Sequence, residues 1–252
     1  MKRLGLVAAV AAVLLLGGAG QAAEREIVVG VEDLDYYPVY AMMDKEYVGA
    51  ARDILDAFAK ARGYKVTYRA LPVKRLFAEL LGGGVDIKFP DNSYWAADQK
   101  QGHHVVYSQP VIAYVDGVMV PPGAVGAGVE AIQVLGTVSG FTPYAWLGRV
   151  KDGAVHLREN PKLELLLKQA ALKRIDGAYA SVAVAHHYLD RVLAMPGALV
   201  FDPGLPHSRD SYHLSSVSRP DLVAEFDAWL ADNRKLVADI KKRFGAERGV
   251  TD

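Results

Sequence analysis

The chain has 252 residues, with 29 Lys and Arg balanced by 29 Asp and Glu, and no cysteine. That balance provides no basic surface for nucleic acid or an anionic membrane. The lack of cysteine excludes a disulfide framework, a thiol nucleophile and a cysteine-based metal site.

Residues 1–23 read as a secretory signal peptide. Lys2 and Arg3 precede the apolar run Leu4 to Leu16, and small residues follow up to Ala22 and Ala23. The run is shorter than the roughly 20 residues a bilayer-spanning helix needs. Cleavage is expected near Ala22 or Ala23, releasing a protein into the periplasm without a lipid, since lipidation there requires cysteine.

Residues 26–33 ("EIVVGVED") form a β-branched run expected as a strand. Residues 47–63 carry Ala50, Ile54, Leu55, Phe58 and Ala61 at helical spacing and end on Gly63. Residues 64–71 alternate as a strand, 72–84 open with Pro and close with glycines as a helix, and 85–89 form a short strand. This order predicts a parallel sheet with right-handed crossovers. Residues 104–120 read as one long strand leaving this first unit. A second series follows: strand and Gly-rich turn at 131–141, helix 160–174, strand 175–181, helix 182–195, strand 198–204 and a return strand 210–218. Residues 219–245 predict one long amphipathic helix, with Leu222, Phe226, Trp229, Leu230 and Ile240 on its apolar side.

Several stretches together resemble the periplasmic solute-binding proteins of the polar amino acid type, extracellular solute-binding family 3. They are "VGVEDLDYYPVY", "VGAARDIL", "ELLGGGVDI", "VVYSQPVIAYVDGVMV", "LGTVSGFTPYAW" and "LKRIDGAYAS", in this order and spacing. The resemblance implies an α/β, two-lobed type II periplasmic binding protein fold with an interlobe cleft. Lobe 1 would hold residues 24–115 and 213–252, and lobe 2 residues 116–212. It also implies a monomer that captures a small molecule by hinge closure and delivers it to ABC permease subunits. The same clamp serves as a sensor docking to a membrane receptor, and the fold has been adapted to dehydratase chemistry. No cofactor is expected, and no catalytic constellation is evident. An acid or base for the enzymatic reading would come from Asp33, Asp35, Lys74, Lys88 or Asp91.

Family members grip an α-amino acid with an Arg on the carboxylate and an Asp on the ammonium. Here the Arg position falls near Gln101, beside Lys100, and the Asp position falls on Ser181. Gln lacks the charge and the fork of Arg, and an ammonium against Ser181 would lack its counter-charge. A plain α-amino acid is therefore disfavoured, and an anionic or aromatic small molecule is expected.

Candidate ligand contacts follow the loops. Asp33, Tyr36 and Tyr37 lie after the first strand, where tyrosines supply a flat face with a polar tip. Lys74 and Arg75 sit in a helix's first turn, where the dipole disfavours cations and invites an anion, unless they are simply solvated. Lys88 interrupts an apolar strand and requires a partner or a wet cleft. Asp91 and Asn92 bind solute or turn the chain; Tyr94 and Trp95 stack on solute or cap a core. Ser139, Gly140, Phe141 and Thr142 form a turn whose amides suit an anion, with Thr142-Pro143 also readable as an N-cap and first-turn pair. Tyr179 and Ser181 end a strand facing the same cleft. The pairs His103-His104 and His186-His187 lack metal-ligand spacing and read as surface or structural.

Overall fold

The computed structural model describes residues 25–250; the signal-peptide reading of 1–23 lies outside the described residues. The first half runs β1 (Arg25–Glu32), β2 (Asp35–Tyr36), β3 (Tyr40–Met43), β4 (Glu46–Val48), α1 (Ala50–Arg62), β5 (Tyr64–Leu71), α2 (Val73–Leu81), β6 (Ile87–Asp91), α3 (Ala97–Lys100) and β7 (Val106–Tyr107). β8 (Ile112–Val120) leads out of it. The second half adds β9 (Val134–Val138), α4 (Leu147–Lys151), β10 (His156–Asn160), α5 (Leu163–Ala171), β11 (Gly177–Ser181), α6 (Val182–His187) and β12 (Val200–Phe201). The chain returns through β13 (Ser208–Ser216) to α7 (Pro220–Asp232) and α8 (Arg234–Phe244).

The main sheet has the order β10-β9-β11-β8-β13-β6-β1-β5. β1 pairs parallel with β5 and β6, and β9 pairs parallel with β10 and β11. The expected parallel units are therefore present, one on each side. β8 and β13 join them as an antiparallel pair. Ser208–Tyr212 of β13 pair with β8, and from His213 the same strand pairs with β6, with a register shift between His213 and Ser215. One strand thus belongs to both halves of a two-lobed α/β fold.

Local chemistry explains the elements. α1 buries Ile54, Leu55 and Phe58 and ends on Gly63, whose left-handed φ of 69° suits a residue without Cβ. Gly30 lets α2 approach β1: an added Cβ would lie 2.6 Å from Leu76 Cδ1. Phe58 meets Phe226 and Trp229 of α7 edge-on at 5.2 and 5.8 Å, which fastens the C-terminal helices to the first half. Each such fully buried ring contributes about 1.5–3 kcal/mol of burial.

Four expectations change. The helix over 219–245 breaks at Asn233, whose side-chain amide donates to the Trp229 carbonyl at 2.8 Å. The strand over 104–120 is interrupted between Tyr107 and Ile112, where Ser108 and Val111 donate instead to the carbonyls of Leu214 and Tyr212. The strand over 198–204 shrinks to Val200–Phe201. The small β2-β3-β4 sheet and β10 have no counterpart among the predicted elements; strands of two to five residues rest on tertiary pairing, which periodicity does not report.

Candidate functional site

Strand alternation builds the floor of the seam between the halves. In β8, Tyr114, Asp116 and Val118 share one face. Opposite them in β13 stand Asp210 and Ser208, facing Tyr114 and Asp116 respectively. Opposite them in β11 stand Ser181, facing Asp116, and Tyr179, facing Val118. Tyr114 and Tyr212 stack at 4.5 Å, and Trp95 meets both at 6.2 and 5.8 Å. The floor is aromatic and acidic.

Asp116 is 8% exposed, and its Oδ1 makes no hydrogen bond. Burial pushes its carboxyl up to about 7. Tyr36, Tyr114, Tyr179 and Tyr212 are all raised, first by burial and then with a contribution from the Asp116 charge. Ser181 stands directly across the strand pair, with its hydroxyl beside that of Tyr36.

A second polar cluster lies beneath the first half. Lys88 is fully buried; its Nζ lies 3.1 Å from Glu32 and 3.8 Å from Asp91, and donates to the Pro90 carbonyl. Lys100 Nζ reaches Asp91 at 3.0 Å and the Asn92 carbonyl at 2.7 Å. Tyr40 and Ser215 hydroxyls donate to Glu32 and Asp91 at 2.6 Å. Burial lowers the Lys100 pKa, opposed by the Asp91 charge. Phe77 lies under both ammonium groups, at 4.7 and 4.9 Å. Two cations and two carboxylates neutralise each other here.

Among the sequence-derived candidates, Tyr36 joins the halves. It contacts Phe141 at 5.4 Å and accepts a hydrogen bond from the Ser181 N–H at 3.2 Å. Tyr37 packs on His187 at 4.7 Å and on Phe244 at 6.0 Å. Asn92 Nδ2 donates to Asp210 at 2.9 Å, and its Oδ1 caps the turn at the Tyr94 N–H. Lys88, Asp91, Tyr179 and Ser181 are buried. Other candidates stand apart. Tyr94 is 72% exposed; Asp33, Lys74 and Arg75 are exposed, with Arg75 3.9 Å from Glu79. The turn over Ser139, Gly140, Phe141 and Thr142 has already used two amides: Ser139 donates to Asn160 and Phe141 to Val138. Thr142 does not cap a helix; Pro143 precedes a single 3-10 turn and the five-residue α4. His103 and His104 are exposed, and no cluster able to hold a metal occurs among the described residues.

Sequence reasoning passed over Asp116, Asp210, Glu32, Tyr114 and Tyr212. A signal existed: in "VIAYVDGVMV" a carboxylate follows a tyrosine at period two inside an apolar strand. The same argument applied to Lys88 would have found it.

The profile describing bacterial extracellular solute-binding proteins, family 3, matches residues 27–246. The chain belongs to this family. No curated protein matches it in sequence. Solved structures show the fold. The arginine-, lysine-, histidine-binding protein ArtJ from the thermophilic bacterium Geobacillus stearothermophilus superposes with a TM-score of 0.68 at 19% identity, over 87% of this chain and 95% of that one. A histidine kinase sensor domain with similarity to periplasmic binding proteins gives 0.70 at 20% identity, over 88% and 96%. The ancestral amino acid-binding protein AncCDT-1, a precursor of cyclohexadienyl dehydratase, gives 0.66 at 18%, over 87% and 95%. This family 3 chain thus shares its two-lobed fold with binders, a sensor and a dehydratase forerunner. None of its described helices is long and apolar enough to cross a membrane.

Proposed function

We propose that this protein captures a small solute in the periplasm by hinge closure and hands it to an ABC importer. The lobes would be residues 24–115 with 213–252, and residues 116–212. The observation that carries the reading is Tyr36, which belongs to one half and contacts Phe141 and the Ser181 N–H of the other. Such contacts can form only when the halves meet, so a solute touching both biases the molecule towards closure.

The solute is not a plain α-amino acid in this reading. Lys100, nearest the position where relatives carry a carboxylate-binding Arg, already pairs with Asp91. Lys88 is likewise paired with Glu32. The expected preference for an anion therefore loses two of its carriers, whereas an aromatic wall remains in Tyr36, Trp95, Tyr114 and Tyr212. The proposed contacts are Tyr36, Trp95, Asn92, Phe141, Tyr179 and Ser181. Capture needs no covalent step, so we read the protein as a binder rather than an enzyme.

The sensor domain of similar fold favours a second reading, in which the closed form docks to a membrane receptor. Neighbouring genes discriminate: an importer locus encodes a permease and an ATPase. The capture reading is tested by a thermal-shift screen of small metabolites. It expects saturable stabilisation by one chemical class, with the compound recovered unchanged. Conversion of the compound would contradict it.

A further inference from the structure

Three features of the seam point the same way. First, Asp116 is buried and its Oδ1 forms no hydrogen bond, and Ser181, whose hydroxyl lies beside that of Tyr36, stands directly opposite it in the β8–β11 pair. Side chains directly opposite in an antiparallel pair have Cβ atoms about 4.5–5.5 Å apart, so one donor group can reach both. Unsatisfied buried polar atoms are uncommon in native proteins and call for an explanation.

Second, the charges do not balance locally. Lys88 and Lys100 are consumed by Glu32 and Asp91. Asp116 and Asp210 share the floor, and no ion pair to either occurs among the described residues; Asp210 is satisfied by the neutral Asn92 amide. The floor therefore has carboxylate to spare and no cation.

Third, tyrosines from four separate strands, Tyr36, Tyr114, Tyr179 and Tyr212, lie close enough to feel the Asp116 charge. Rings around a carboxylate favour an organic cation. A hard metal ion would demand six or more oxygen ligands, which this wall does not present.

We propose that Asp116 anchors the cationic nitrogen of the solute, with Ser181 Oγ accepting a second N–H, and that the solute is a protonated amine without a carboxylate beside it. The inference rests on the solute-capture reading and specifies its ligand. The missing carboxylate partner and the relocated acid belong together: the strand position that lacks an acid, Ser181, has one across the ladder at Asp116.

Amine binding requires ionised Asp116. Tyr36 on β2, Tyr114 on β8, Tyr179 on β11 and Tyr212 on β13 all feel its charge, and Asp210 on β13 pairs with Tyr114 next to it; His207 lies beside Gly117, whereas His187 on α6 lies against Tyr37. The four tyrosines are held neutral by burial, and burial raises Asp116 itself to about 7. Amine affinity should therefore weaken from pH 8 to pH 5.5.

The test compares matched pairs on the whole protein at pH 8, by thermal shift and calorimetry. The pairs are phenethylamine with phenylalanine, tyramine with tyrosine, histamine with histidine, cadaverine with lysine, and agmatine with arginine; phenethyl alcohol is the uncharged control. At least one amine should bind more tightly than its amino acid, and Asp116→Asn should weaken it roughly thirtyfold or more. Should that variant not fold, the wild-type pH dependence decides, and a flat profile overturns the inference. Tighter binding of the amino acids, or binding of uncharged or anionic compounds alone, also overturns it. Stabilisation by those other solutes leaves the capture reading standing. If no solute in this set or in the wider screen binds, both readings fall.

Discussion

The backbone N–H of Ser181 donates to the hydroxyl of Tyr36 across 3.2 Å, although 145 residues separate them in sequence. The bond ties the loop after the first strand to the end of β11, and so one half of the molecule to the other.

Tyr36→Phe keeps the ring against Phe141 and removes the acceptor. A buried N–H then loses its partner, which costs about 1–2 kcal/mol. Urea denaturation should show a lower midpoint with an unchanged slope. An unaltered midpoint would mean that the contact contributes nothing in solution.

Lys88 is the centre of the buried ion cluster. Lys88→Met leaves Glu32 and Asp91 with less compensation, and breaking a buried pair typically costs about 3–5 kcal/mol. Adding Glu32→Gln should recover part of that loss, because it removes one of the stranded charges. Equal stability of the single and double variants, measured by chemical denaturation, would rule out the proposed coupling.

Asp116 makes a pH signature in the solute-free protein. Its folded-state pKa is about 7, raised by burial from an ordinary value of 3.8. Between those values the folded state retains a proton that the unfolded state has released. Stability therefore falls as pH rises through this window, by up to about 1.4 kcal/mol per unit, and levels off above it. Asp116→Asn removes this slope, so the variant should gain on the wild type from pH 4 to pH 7. Parallel stability curves would show that Asp116 titrates normally.

Of the tryptophans, Trp146 and Trp229 are fully buried in separate cores, whereas Trp95 is half-buried beside Tyr114 and Tyr212. Solute binding should alter intrinsic fluorescence through Trp95. Trp95→Phe should abolish the change; a persisting change would place the solute elsewhere.

Apart from the short β2-β3-β4 sheet, the alternation of strand and helix up to Ile87 was legible because the elements bury periodic faces and α1, β5 and α2 run into Gly63, Pro72 and Gly82. Family motifs carried the two-lobed fold further than propensity alone. The break at Asn233 escaped notice because the apolar stripe of Leu222 to Ile240 continues across it; a single side-chain bond to a carbonyl decides the matter. The site was half legible. Tyr36 was conspicuous in the loop after the first strand, and Lys88 as a charge inside an apolar one. Asp116 was not, because its environment comes from β11, β13 and β2, which only the folded topology brings together. Lys74 and Arg75 stand exposed in the first turn of α2, a placement that the helix-dipole argument for an anion does not decide.

The central claim is capture by closure, and interlobe distance tests it most directly. The chain has no native cysteine, so Lys74→Cys and Leu172→Cys at exposed positions on opposite halves can be labelled cleanly for energy transfer. The distance should shorten when the solute found by thermal shift is added, and the solute should be recovered unchanged. A stabilising solute that leaves the distance unaltered, or that is converted to product, would contradict the account.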